Sequence, residues 1–259
     1  CRTAGAHHRD CFLQLLGHAQ CHKGSRALYQ QGRDLTHPDD LPAFDAAFEA
    51  HVRGETPRYE VEYRLRSGNG DWRWIECRGK IVARTKDGIP LRVVGTFADI
   101  SKRKAEAADR EFLSDLTHQL MQISKPDTIT SISIKLLAQH LMADRVGISE
   151  LKHDRTGFLT RAVWSHKALP SLQQEPAKAY SPQLIEEMCA KGPFLVEDVQ
   201  TDPRCQGSKM THVFAQMGVH GLLNIPVQTN GRSPIFLYVH TRKPRKWSHR
   251  EVLLCQQVV

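Results

Sequence analysis

Tyr59-Glu60-Val61-Glu62-Tyr63-Arg64-Leu65-Arg66 sets one apolar side chain against one charged side chain at every step, and this stretch decides the first unit of fold. Period-two alternation puts Tyr59, Val61, Tyr63 and Leu65 on one face and Glu60, Glu62, Arg64 and Arg66 on the other, the pattern of a strand with one face in a core and one in water. Ser67-Gly68-Asn69-Gly70-Asp71 then turns the chain as a hairpin. A second strand runs from Trp72 to Arg84, Lys86-Asp87-Gly88 makes another turn, and Leu91 to Phe97 reads as a third strand. Upstream, Pro38 suits a first helical position, with Asp39 and Asp40 where the helix dipole is positive. Leu41, Phe44, Phe48 and Val52 follow at helical spacing and Gly54 ends the helix. One helix followed by a three-strand meander is an α+β unit.

Downstream, Ala105, Ala108, Phe112, Leu116, Leu120 and Ile123 recur at spacings of three and four, which predicts a helix over 102–124. Lys125-Pro126-Asp127 breaks it, and Asp127 is expected to cap a second helix carrying Ile129, Ile132, Leu136, Leu137 and Leu141. Strands are expected at 145–151, 159–165, 194–196, 222–227 and 235–240, with a helix at 182–190 between the second and third. Ser248 and Glu251 fit a capping box that opens a last helix. The expected organisation is therefore two α+β domains, each an antiparallel sheet flanked by helices and joined by a helix. Residues 1–35 are a poorly patterned, truncated start, 36–101 the first domain, 102–124 the connecting helix and 125–259 the second domain. The Cys1 start and an end inside a helix lead us to expect a fragment.

The chain has 259 residues, enough for one or two domains. Charged residues make up 25%, and the net charge of +8 is spread evenly along the chain rather than gathered in a tail. That favours solubility over a dedicated nucleic-acid groove. The densest basic cluster, Arg242, Lys243, Arg245 and Lys246, is expected to be a solvated loop. No window reaches the roughly 18–20 apolar residues of a membrane helix. Seven cysteines without a C-x-x-C pair fit free thiols in a reducing cytoplasm. His7, His8, Cys11, His18, Cys21 and His22 are metal-ligand types, but they lack the two close pairs of a zinc site, so no metal is expected.

The first unit resembles the C-terminal, PAC part of a PAS domain. The likeness lies in His37-Pro38-Asp39-Asp40, in the strand from Tyr59, in Gly70-Asp71-Trp72-Arg73-Trp74 and in Asp99-Ile100-Ser101. The resemblance implies that Asp99, Ile100 and Ser101 link the sheet to the outgoing helix and relay a signal. Residues 109–259 are similar to GAF domains of bacterial sensor histidine kinases of the HWE type. The matching pieces are Ala143-Asp144-Arg145-Val146-Gly147, the run from Val196 to Arg204, the run from Gly218 to Val227, and Val239-His240 leading to Trp247-Ser248. The family implies the sensory input region of a two-component phosphorelay. Such a region is a homodimer passing the state of an unknown small-molecule ligand or partner to a downstream kinase domain, a transferase, and to its response regulator. The alternatives are a stand-alone ligand-binding module and the input region of a cyclic-di-nucleotide signalling enzyme.

No catalytic residue is expected within the chain. There is no G-x-x-x-x-G-K-[ST] loop and no Asp-x-Gly-x-Gly lid to hold ATP, so ATP chemistry would belong to a separate kinase core. Phe112 to Leu120 resembles a phosphoacceptor box around His118, but the Arg-Thr-Pro continuation is missing, and His118 is read as a plain helix residue. Arg9 to Gln14 resembles a flavin-binding cysteine motif without the strand asparagines such a site needs. Cys189, Cys205 and Cys255 lack a bilin-attachment context. No bound flavin, bilin or haem is expected. Residues expected to line ligand pockets are Tyr63 and Trp74 in the first sheet and Ile148, Trp164 and Leu223 in the second, with core packing the competing role for aromatics on half-buried strands. Trp247 is read as part of a hydrophobic staple.

Overall fold

The structure is a computed structural model that describes residues 25–155, 157–166, 169, 180, 182–206, 209–227 and 234–259. The His/Cys group of residues 7–22 and the flavin-like Arg9–Gln14 stretch lie outside the described residues. The chain divides into two compact units, Cys1–Ala108 and Asp109–Val259. The fold is α+β in both, with two antiparallel sheets flanked by helices.

In the first unit, α1 (Ser25–Leu35) and a single 3₁₀ turn (Pro38–Asp40) lead into α2 (Leu41–Val52). The meander of β1 (Tyr59–Arg66), β2 (Trp72–Arg84) and β3 (Pro90–Asp99) follows. Tyr59, Tyr63 and Leu65 of β1 are buried with Ile75 and Cys77 of β2, as the alternation requires. Phe44 of α2 meets Tyr63 edge-on at 4.9 Å and Tyr59 at 6.3 Å. A fully buried Phe contributes about 1.5–3 kcal/mol, so this one ring holds much of α2 to the sheet. Asp40 does more than favour a helix dipole. Its carboxylate accepts from the Arg64 backbone N–H at 2.8 Å and from the Arg64 guanidinium Nε at 2.9 Å, which staples the start of α2 to β1. The Arg64 hydrogen bond holds the Asp40 carboxyl below its ordinary range.

The sequence reading placed no element before Thr36, whereas α1 forms there. Gly32, a poor helix former, interrupts the apolar pattern. A Cβ at that position would meet the Phe44 ring at 3.6 Å. Tertiary contacts therefore support this helix more than intrinsic propensity does, among them the Arg33–Asp45 ion pair at 2.7 Å.

In the second unit, α3 (Ser101–Leu120) supplies residues from Asp109 on, and α4 (Pro126–His140) follows. Then come β4 (Arg145–Leu151), β5 (Phe158–Ser165), α5 (Pro182–Lys191), β6 (Phe194–Val196), α6 (Lys209–Gln216), β7 (Gly221–Val227), β8 (Ile235–Thr241) and α7 (His249–Val258). The strands pair in the order β5-β4-β8-β7-β6, antiparallel throughout. Both faces of the sheet are buried. Leu151, Phe158, Phe194, Leu222 and Phe236 pack with the α5 and α6 side chains Ile185, Met188, Met210 and Phe214. On the other face Val146, Leu223, Ile225, Leu237 and Val239 pack with Ile134 and Leu137 of α4 and with Val252 and Cys255 of α7.

Four local expectations change. Lys125, not Asp127, stands at the N-cap of α4, where its side chain makes no cap hydrogen bond: Pro126 occupies the first helical position and Asp127 sits in the first turn as a dipole acid. The helix predicted to 124 ends at Leu120. Helix α6 forms where no element was expected, with Met210 and Phe214 buried. The basic loop is not simply solvated, because Arg242 pairs with Asp144 at 2.8 Å and Arg245 with Glu251 at 2.5 Å. The capping box of Ser248 and Glu251 is present. Trp247, which precedes it, is buried in the same core cluster as Val252 and donates its indole N–H to the Val196 carbonyl at 3.0 Å. Ser248→Ala is expected to cost about 1 kcal/mol, measured as a lower urea midpoint of the whole chain at unchanged slope. No helix among the described residues is long and apolar enough to cross a membrane.

Candidate functional site

The end of β3 and the start of α3 meet at Asp99-Ile100-Ser101 and converge on the Trp74 backbone. Asp99 Oδ1 accepts from the Ser101 N–H at 2.8 Å, the local bond that starts the helix. The Ile100 N–H donates to the Trp74 carbonyl at 2.8 Å, and the Trp74 N–H donates to Ser101 Oγ at 2.9 Å. Ile100 itself is buried. Both backbone polar groups of Trp74 are thus committed to the strand-to-helix junction.

The first turn of α3 is also held to the polar face of the sheet. Lys104 Nζ lies 2.6 Å from Glu62 and 4.7 Å from the centre of the Trp74 ring. Arg103 donates to the same Glu62 at 2.5 Å and reaches Glu76 at 3.3 Å. The Arg64 guanidinium carbon stands 5.5 Å from the Trp74 ring centre. The Lys104 hydrogen bond holds the Glu62 carboxyl below its ordinary range. These charges are partly exposed and each pair contributes little alone, about 0.2–1 kcal/mol. Together they fix the direction in which α3 leaves the sheet.

Tyr63 and Trp74 do not share a pocket. Tyr63 pairs with Ile75 and Arg64 with Trp74, so the two aromatic rings lie on opposite faces of the sheet. Tyr63 is core, with burial raising its phenol above the ordinary range, and Trp74 belongs to the junction. Leu223 belongs to the apolar core beneath α4 and α7, and Ile148 and Trp164 pack partly buried against that core. His118 is exposed, one turn beyond residues of α3 (Phe112 and Leu113) that pack on that same core.

The sequence reading missed a polar set on the other face of this sheet. Arg145 pairs in register with His240, and Gly147 with Tyr238. Arg145, Tyr238 and His240 are buried. Arg145 Nε donates to Ser165 Oγ at 2.7 Å. The His240 ring is tilted against Tyr238 at 4.9 Å and meets Phe214 edge-on at 5.6 Å. Burial, with a smaller push from the Arg145 charge, brings the His240 imidazole down to about 3. The signal was a charged residue directly ahead of Val146, Gly147 and Ile148 in β4, and a fully buried charge is rare unless it is held. Elsewhere in this unit, a surface cleft of about 450 Å³ is lined by Glu197, Asp198, Thr201, Asp202, Pro203 and Pro244. Two of its three acids are engaged internally, Asp198 with His220 at 3.0 Å and Asp202 with Arg204 at 2.6 Å. Among the described residues no group of three or more His, Cys, Asp or Glu is placed to hold a metal.

Residues 10–97 match the family described as PAS fold. The two-component sensor PprA of Pseudomonas aeruginosa is 28% identical over 113 residues, covering 44% of this chain and 12% of that protein. Hybrid signal transduction histidine kinase A of Dictyostelium discoideum is 36% identical over 74 residues, covering 27% of this chain and 3% of that protein. The chain therefore spans a small part of the length of the curated relatives it matches. Among solved structures, the phycoerythrobilin-bound GAF domain of a cyanobacterial phytochrome aligns with TM-score 0.49 and 21% identity, over 59% of this chain and 93% of that domain. Residues 10–97 thus match a PAS fold, and the second unit is a five-stranded antiparallel sheet with both faces covered.

Proposed function

We propose that this chain is the input region of a two-component sensor histidine kinase and that it relays a change in one of its sheets to a kinase core through α3. The observation that carries the reading is the junction. The helix leaving the first sheet starts at residues tied to Trp74, and its first turn is ion-paired to Glu62 on the neighbouring strand. A shift of β1 against β2 would therefore move the start of α3 rather than dissipate in a loop. Asp99, Ile100 and Ser101 are the relay residues, and Trp74 acts as a positioning residue. The names of the two curated relatives support the output as kinase control. The reading includes a cytoplasmic homodimer, a downstream kinase domain and a response regulator.

No step of this reading passes through a chromophore. Cys205 and Cys255 are buried in the two cores, where burial pushes the thiols up to about 11 and about 12, and Cys189 is exposed on α5.

The test is an in-frame fusion of residues 1–259 to a dimeric histidine-kinase core, with autophosphorylation as the readout. Two packings separated by about 1–3 kcal/mol of coupling correspond to changes of about 5- to 150-fold. Trp74→Ala and Ser101→Ala are expected to shift the basal rate at least about fivefold, while Lys191→Ala, exposed on α5 of the other unit, leaves it unchanged. Junction variants with the wild-type rate would refute the relay.

A further inference from the structure

We infer that Asp109 is the polar clutch that docks α3 onto α4 and α7, so that one carboxylate oxygen couples the helix entering the second unit to the last helix of the chain. Asp109 is only 9% exposed, unusual for an aspartate inside a helix. Its Oδ1 accepts from Arg250 Nη1 at 2.5 Å and lies 2.8 Å from His140 Nε2. Three residues on, Phe112 stacks on the same His140 ring at 4.4 Å and 23°. One face of α3 thus meets the end of α4 twice and the start of α7 once.

The placement of the two partners argues that the contact is specific. His140 is the last residue of α4 and lies beside the Asp109 carboxylate. Arg250 is in the first turn of α7, where the dipole disfavours it. A cation at that position is stabilised by a buried carboxylate on another helix, and Asp109 supplies one. Beside these contacts α3 has an apolar grip: Phe112 and Leu113 pack partly buried on this unit's core and Leu116 is buried. Charge-assisted hydrogen bonds are about twice as strong as neutral ones and are directional, so the Asp109 contacts fix where that grip seats α3. The relay reading says where a displacement enters α3, and the clutch says where it passes to α7. It rests on that reading for its use but not for its existence.

The test is native-state hydrogen exchange, by peptide mass spectrometry, on the full chain. In Asp109→Asn, peptides covering 109–120 and 249–258 are expected to exchange at least tenfold faster, with β7 and β8 unchanged. In Arg250→Gln, a change confined to α7, the α3 peptide is expected to accelerate as well. That cross-helix response is one a local role of Arg250 would not produce. The inference is overturned if Arg250→Gln leaves α3 at the wild-type rate, or if Asp109→Asn accelerates the whole unit equally. Should Asp109→Asn fail to fold, Arg250→Gln and His140→Gln decide the matter on the same α3 peptide. No kinase enters these measurements, so the clutch and the relay can fail separately.

Discussion

Gly147→Ala is expected to destabilise the Asp109–Val259 unit by about 3 kcal/mol, at the upper end for an overpacked core. Gly147 lies in β4, directly opposite Tyr238 of β8. A Cβ there would overlap both the hydroxyl oxygen and Cζ of Tyr238, and would sit 2.7 Å from the Ala162 carbonyl oxygen of β5. The backbone of Gly147 is ordinary, so the constraint is space and not φ. Neither neighbour can retreat easily. Tyr238 is 1% exposed and packed in the sheet interior, and the Ala162 carbonyl belongs to a paired strand. Gly157→Ala is the control, because the nearest atoms are the flexible end of Lys152 at 3.4 Å; it should fall within about 0.5 kcal/mol of wild type. Urea unfolding of the full chain, followed by exchange of β8 amides, measures both. Combining Gly147→Ala with Tyr238→Ala should not restore stability, since the Ala162 carbonyl still meets the new methyl and a cavity replaces the ring. A Gly147→Ala chain with the wild-type midpoint would mean that Tyr238 does not lie across β4 as described.

The same strands show why some of the chain could be read in advance and some could not. β1 has one wet face, so its alternation revealed both the element and its orientation. β7 and β8 are covered on both faces by helices, which removes the alternation: 222–227 and 235–240 read as strands, but which residue faces which helix is invisible in a continuous apolar run. That is why Leu223, Ile148 and Trp164 could be grouped without knowing that they pack beneath α4 and α7. Tyr63 and Trp74 were grouped on aromatic character, and only the register separates them. The junction was legible because short polar side chains at a strand-to-helix step have few other uses. The Trp74 ring between Lys104 and Arg64 was not, because that contact joins residues far apart in sequence. Arg145 and His240 stood in the sequence inside the quoted motifs. Their adjacency depends on β8 pairing with β4, a pairing between strands that are distant along the chain.

His240 sets the second large expectation, a loss of stability of the second unit on mild acidification. Its imidazole is held down to about 3 by burial and by the neighbouring Arg145 charge, against about 6.5 in an unfolded chain. Above pH ~6.5 both states are neutral at this residue and its contribution is constant. As the pH falls below that value the unfolded chain takes up a proton that the folded chain refuses, so stability declines by up to about 1.4 kcal/mol per pH unit. The decline ends only near the folded value, where the native ring also charges. Asp40, Asp202 and Glu251 have lowered folded values, so they too lose stabilisation in acid, but only below their unfolded values near pH 4. Among the groups with a resolved shift, the interval from about pH 4.5 to 6.5 therefore belongs to His240. Urea titrations of the full chain at half-unit steps, read on β8 amides, should show a midpoint falling steadily across that interval. His240→Gln should begin lower at pH 7, because it disturbs the packing against Tyr238 and Phe214, yet its midpoint should change far less between pH 6.5 and 4.5. A wild-type midpoint that stays level over the same interval would require the ring to be accessible to protons in the folded state, and the buried Arg145–His240 pairing across β4 and β8 could not then be as described.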